Sequence, residues 1–402
     1  MDARHRRYLC WLLATMLAAV AGIALLVLTV DPYGLYGLVN TPGLNRDKPP
    51  LTRHQNEIKL ARALRQEPGI VIVGNSRVEA GLDPDGPALR GRNAVNLGLA
   101  GTGTPTAVSQ LHYLAQHGVR PRRVIAGLDF VDALTTQPVT KVGAAAPLKV
   151  SLPGQGWRVD ALLSAASLKD ALRTVALQHD RDAAIATVRG FNPLRQYDST
   201  ARVEGYAAIF RQRAEENARK LASRRHGGLD VPGVQAELRA LLDAAAGPGV
   251  QVDLLIYPYH AQLLATFEAA GLWPRFEAWK DVLVAEVAAA RARHPQAAIR
   301  LVDFSGYGPW QCEPVPAKGS RAVTQWYWEA GHFKAALGEK MLARLLGADE
   351  VSGFGTVLED ATRTANAQRI AAGRAACRAG QGALFGEAAR LVAGQSPGIT
   401  YP

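Results

Sequence analysis

From Tyr8 to Val30 the chain runs for 23 residues without a charged side chain and is mostly apolar. A helix over that stretch is long enough to cross a hydrocarbon layer of about 30 Å. It constrains the molecule more than any other segment, because whatever follows must fold on one side of a membrane. Arg4, Arg6 and Arg7 precede the span and Asp31 follows it. Positive charge on the short N-terminal side places residues 1–7 in the cytoplasm and the bulk of the chain outside. Ala19-Val20-Ala21 offers a small-x-small triplet of the kind a signal peptidase accepts. That triplet sits within the apolar run, and Ile23 to Leu28 extend the run past the core of a signal peptide. An uncleaved, single-pass anchor in the inner membrane is expected, with the main domain in the periplasm.

The remainder is long enough to bury a sizeable core as one large domain or two smaller ones, with 402 residues in all and 48% of them hydrophobic. The formal net charge of +11 would suggest a nucleic-acid partner for a cytosolic protein, and export argues against that. Arginines are spread along the chain, which fits solvated helix faces, with anionic lipid or an acidic glycan as weaker alternatives. Cys10 lies in the span, leaving Cys312 and Cys377 as the exported pair. An oxidising compartment permits a bridge between them, and sequence leaves open whether the geometry does. No cysteine pair has zinc-site spacing and the nine histidines form no ligand cluster, so neither metal nor cofactor is expected.

Residues 31–69, rich in Pro, Gly and charge, read as a connector ending in a short helix near Ile58 to Leu64. Ile70 to Val73 is a β-branched run of the type buried on both faces of a parallel sheet. Ala94 to Leu97 and Val124 to Phe130 follow as strands, separated by a helix that Thr104-Pro105 starts and that runs to about His117. Between about 132 and 249 the alternation lapses into Ala- and Arg-rich helices, including Val203 to Arg224 and Val234 to Ala245, broken by Pro153, Pro193 and Pro232. This segment reads as an insertion or cap. Strands return at Val250 to Tyr257 and Ala298 to Phe304, with helices near Phe276 to Ala290 and His332 to Leu346. The tail, 351–402, reads as helical and peripheral. The expected fold class is α/β, a three-layer parallel sheet with helices on both faces, whose sites form beyond the carboxyl ends of the strands.

Ser76 sits at such an end, in Gly74-Asn75-Ser76-Arg77, while Glu329 and His332 lie three apart far downstream. A hydroxyl needs an imidazole to take its proton, and a carboxylate to hold that imidazole in one tautomer. Serine at a strand end is also a common helix cap, and Glu with His three residues later is also a capping arrangement.

These short blocks, together with Asn96-Leu97-Gly98-Leu99-Ala100-Gly101-Thr102, Gly127-Leu128-Asp129 and Glu329-Ala330-Gly331-His332, resemble the ordered motifs of SGNH (GDSL-like) hydrolases over about 70–350. The likeness is to membrane-anchored periplasmic members associated with exopolysaccharide acylation. The resemblance implies Ser76 as nucleophile, His332 as base, Glu329 as its orienting acid, and the Ser76 and Gly101 amides as oxyanion donors. Such donors are worth about 3 to 4 kcal/mol each. Asp129 aligns with a third donor, usually an asparagine. An ionised aspartate would repel the oxyanion, so Asp129 is protonated, or structural, or replaced by Asn75 or Asn96, or the site is not a standard hydrolase site.

His260, after Tyr257-Pro258-Tyr259, could contact substrate at the same sheet edge, and Arg77 could bind an anionic substrate or brace its loop through a carboxylate. Trp328, with Trp310, Trp326 and Tyr327, could stack on sugar rings or pack against the cap. The function that follows is an extracytoplasmic serine esterase or O-acyltransferase acting on acyl groups of a polysaccharide, with acetyl as the group the resemblance implies. The alternative is a silent SGNH-like glycan-binding or envelope-assembly protein with a membrane or assembly partner.

Overall fold

A computed structural model describes residues 3–136, 154, 156–347 and 353–395. Its first element is a single helix, Ala3–Val30, long and apolar enough to cross a membrane. The helix ends where the chain can no longer stay apolar. Asp31 turns into the left-handed region (φ 48°) and its carboxylate takes up the amides of Leu35 at 2.7 Å, Tyr36 at 3.0 Å and Gly37 at 2.8 Å. The last carbonyls of the helix, left without partners by its end, are met by Asn45 and Lys48, each 3.1 Å from the Val30 oxygen. The connector is thereby folded onto the anchor.

Beyond it lies a central sheet. Its strands are β1 (Ile70–Val73), β2 (Ala94–Asn96), β3 (Arg123–Leu128), β4 (Gln251–Ile256) and β5 (Ala298–Asp303). All five run parallel in the order β2-β1-β3-β4-β5, with Ile70 paired to both Ala94 and Arg123. The four residues of β1 are all buried, as the β-branched run implied. A two-stranded hairpin, β6 (Tyr327–Glu329) and β7 (His332–Phe333), stands apart from the sheet. The expected helix from His332 therefore begins later, at Ala335–Leu345, because the aromatic run ahead of Gly331 takes extended backbone. The tail holds one further strand, β8 (Thr356–Val357), antiparallel to β5 at the sheet edge, before its two helices, Asp360–Gly380 and Gly382–Ala393.

Seven of the helices fall into two mutually packed groups. Gln55–Gln66, Thr104–Gln116, Val231–Ala245 and Trp273–Arg293 form one, while Tyr206–Ala222, Ala261–Ala269 and Gly382–Ala393 belong to the other. Val231–Ala245 thus acts as the crossover between β3 and β4, inside a segment that read as insertion. The long helix expected from Val203 to Arg224 is two, Arg195–Glu204 and Tyr206–Ala222, divided at Gly205. Pro153 lies outside the described residues. Cys312 and Cys377 are bridged, their Cα atoms 6.1 Å apart, tying the loop after β5 to helix Asp360–Gly380. The tail is packed against the domain, with Cys377, Phe385 and Val392 buried.

Candidate active site

In the order β2-β1-β3 the chain reverses its direction of winding at β1 and β3, and the crevice beyond their carboxyl ends is where such sheets hold their sites. At the end of β1, Gly74 takes φ 148°. A side chain there would meet Val78 Cγ2 at 2.7 Å and the Tyr257 hydroxyl at 2.9 Å, so glycine alone fits this turn. Asn75 then caps the short helix Ser76–Gly81, its side chain accepting from the Arg77 amide at 3.1 Å. Ser76 is left at the first helical position. The loop after β2 is fastened to the same turn by bonds from Leu97 N to Ile72 O (2.7 Å) and Leu99 N to Gly74 O (3.0 Å).

The other half of the site comes from the hairpin. Glu313, buried, accepts the amides of Trp326 at 3.0 Å and Tyr327 at 3.2 Å, which sets the hairpin against the loop after β5. Glu329 is 2% exposed, and its Oε2 accepts from the Gly331 amide at 2.7 Å while Oε1 bonds His332 Nδ1. Burial works to raise the carboxyl pKa, but the imidazole beside it, the Gly331 amide and the charge of Arg213 prevail and draw it down to about 2. An ionised Glu329 accepts the proton on Nδ1, so Nε2 is the free acceptor. That nitrogen lies 2.9 Å from Ser76 Oγ, across 256 residues of sequence. Ser76, His332 and Glu329 therefore form one hydrogen-bonded chain of hydroxyl, imidazole and carboxylate.

Asp129, at the end of β3, is occupied as an acceptor. It pairs with Arg77 and receives Asn75 Nδ2 at 3.0 Å, the Tyr259 hydroxyl at 2.9 Å and the Val131 amide at 3.1 Å. In this arrangement it offers no donor toward Ser76, which corrects the expectation of an oxyanion role. Asn96 is fully buried with both ends used, on the Val78 and Leu82 carbonyls and the Gly98 amide, so it does not substitute. Arg77 braces the site: Nε donates to the Gly331 carbonyl at 2.8 Å, and the guanidinium lies over the rings of Tyr257 and Tyr259. Burial alone would lower its pKa; Asp129, the two tyrosines and Glu329 raise it well above the usual value. Gly101 takes φ 73° in an exposed turn.

His260 does not contact the solvent-facing rim. It is fully buried, Nε2 lying 2.8 Å from the Glu313 carbonyl and Nδ1 accepting from the Gln262 amide at 3.1 Å. A substrate-contacting role is thereby corrected to that of a helix cap. Trp328 is 7% exposed and has Lys334 Nζ over its ring at 4.4 Å, a packed position with little face for a sugar. Of its neighbours, Tyr327 is buried and Trp310 and Trp326 are half-buried.

Several contributors escaped sequence reasoning. Lys59 is buried in helix Gln55–Gln66 and donates to Glu79 Oε1 (2.9 Å), Gly98 O and Gly190 O (3.0 Å), joining the helix of Ser76 to the loop after β2. Tyr259, Glu313 and Arg213 complete the support. Only Tyr259 carried a signal, through its place two residues beyond Tyr257 at a strand end. No family model matches the chain, and no match is found among curated proteins.

Proposed function

We propose that the protein is a serine esterase or O-acyltransferase working outside the cytoplasm on acyl esters of a polysaccharide, acetyl being the group of first choice. The observation that carries this reading is the 2.9 Å contact between Ser76 Oγ and His332 Nε2, backed by a buried, ionised Glu329. His332 would take the Ser76 proton as Oγ attacks the acyl carbonyl. It would then return that proton to the leaving alcohol, forming an acyl-serine. Water or a sugar hydroxyl, deprotonated in turn by His332, would release the acyl group.

The developing oxyanion would be held by the Ser76 amide, free at the first turn of its helix, and by the Gly101 amide across the loop. Asp129 has a different role in this reading. It fixes Arg77, and through Arg77 the Gly331 turn that separates Glu329 from His332. Glycan as substrate and the periplasm as location rest on the SGNH resemblance and on the charge asymmetry around the span. The test is covalent labelling by a fluorophosphonate together with release of acetate from a p-nitrophenyl ester and an acetylated glycan. Ser76→Ala should abolish all three while leaving the fold intact. An unlabelled, inactive wild-type protein that still binds glycan would instead identify a silent binding module.

A further inference from the structure

The last two turns of the anchor are packed by the domain itself. Ile23, Leu26, Val27 and Val30 lie against Leu162, Ala171 and Val175 of the helices Trp157–Leu163 and Ala165–Leu177. At 1.5 Å per residue, Tyr8 to Val30 measures about 33 Å, and Ile23 lies about 10 Å below the end of the helix. With a hydrocarbon core of about 30 Å, contacts as deep as Ile23 carry the two helices down to the headgroups and the upper acyl chains.

Their outer faces suit that depth. Val159, Leu163 and Leu172 are large apolar residues left 64%, 40% and 58% exposed, the first two one helical turn apart on a common face. Charges are sorted around them. Both carboxylates turn toward the protein, Asp160 to Arg53 at 2.6 Å and Asp170 to the Tyr33 hydroxyl at 2.6 Å. The exposed charges are Arg158, Lys169 and Arg173, all cationic. Apolar side chains flanked by cations, on helices fastened beside a membrane span, fit the boundary between acyl chains and anionic headgroups.

We infer that helices Trp157–Leu163 and Ala165–Leu177 form an interfacial collar that inserts Val159, Leu163 and Leu172 into an anionic outer leaflet and fixes the domain against the membrane. This is independent of the chemistry assigned to Ser76. The test uses the full chain with Cys10→Ala, reconstituted in nanodiscs, and a single fluorophore attached through Val159→Cys or Leu172→Cys. Val323→Cys, 72% exposed in the loop before the hairpin, serves as the control. Labels at 159 and 172 should emit at shorter wavelength and lose emission when doxyl lipids are added, more so with phosphatidylglycerol than with phosphatidylcholine alone, while the label at 323 is unaffected. Quenching at 159 and 172 no greater than at 323 would overturn the collar. So would a label that is shielded from water yet not quenched by lipid, since a second copy or another protein would then cover the face. Equal quenching in the two lipid mixtures would overturn the preference for anionic headgroups.

Discussion

Two histidines at the same end of the sheet live in opposite surroundings. His332, on the hairpin, is 22% exposed and spans two side chains, a carboxylate on Nδ1 and a hydroxyl on Nε2. His260, at the start of helix Ala261–Ala269, is fully buried and spans two backbone groups. Both are completely hydrogen-bonded, so satisfaction of the ring does not separate an imidazole placed for the proposed proton transfer from a structural one. The partners separate them. A carboxylate can stabilise the imidazolium formed when Nε2 takes a proton, whereas a backbone carbonyl and amide in a dry pocket cannot, and burial pushes the His260 pKa down to about 4.

The hardest blow to that contrast falls on the hairpin side. His332→Ala and Ser76→Ala should each lower kcat by on the order of 10⁶-fold, and the double variant should lose no more than either single one, because the two groups act as a unit. The half-exposed position of both side chains predicts little change in the denaturation midpoint. Equal, independent losses in the double variant would mean that the two residues do not share a step. Glu329→Gln comes next. It keeps the shape but disfavours the tautomer that leaves Nε2 free, and a loss of about 10⁴-fold in kcat is expected, with KM little changed.

The Asp129–Arg77 pair sits between the two histidine environments, at side-chain exposures of 5% and 14%. Asp129→Ala would strand the guanidinium, and removing one member of a buried pair costs about 3–5 kcal/mol. Urea unfolding measures this directly. Asp129→Asn keeps one of the two acceptor oxygens, which can serve Arg77 or Tyr259 but not both, and should lose less than the alanine variant; an Asn variant with raised activity would show that a neutral donor at this position serves the oxyanion better than the native carboxylate.

What was legible in the sequence divides along the same line. The strand starts, the parallel alternation and the position of Ser76 follow from local pattern, because β-branched runs and glycine turns act over a few residues. Glu329 and His332 were readable as a pair for the same reason, being three residues apart. Pairing across the fold was not. That Asp129 meets Arg77 depends on β1 and β3 lying side by side with Val73 opposite Ala126, a register no short window contains. His260 looked like a rim residue because strand-end position is local, whereas its burial comes from Phe210 and Tyr327, whose rings lie 5.0 and 4.9 Å away. Lys59 was invisible because a lysine on a helix with many charges reads as solvated, and only the loops at Gly98 and Gly190 enclose it. The two-residue β8 gives too short a run for period-two patterning to register.

The pH dependence of stability is the gentlest probe of the contrast. His260 has an ordinary pKa of 6.5 and a folded value of about 4, lowered by burial against the smaller opposing effects of the Glu313 carbonyl and Glu329. Between those values the unfolded chain binds a proton that the folded chain does not, so stability rises with pH across this window and is lost as pH falls from 6.5 toward 4. The full effect is about 3 kcal/mol. Glu329 acts in a lower window: its contribution is present above about 4.5 and is lost only as pH falls toward about 2. Carboxyls whose pKa values burial raises, Glu313 and Glu237 among them, give the opposite slope, so the test is a difference between two proteins. His260→Asn retains a side-chain cap for the Gln262 amide but cannot titrate. Its unfolding free energy, measured at pH 7 and pH 4.5, should fall less than that of the wild type. If the two fall in parallel, the imidazole of His260 takes up its proton as readily in the folded protein as in the unfolded chain, and the contrast between a dry histidine and one that faces a carboxylate fails at this site.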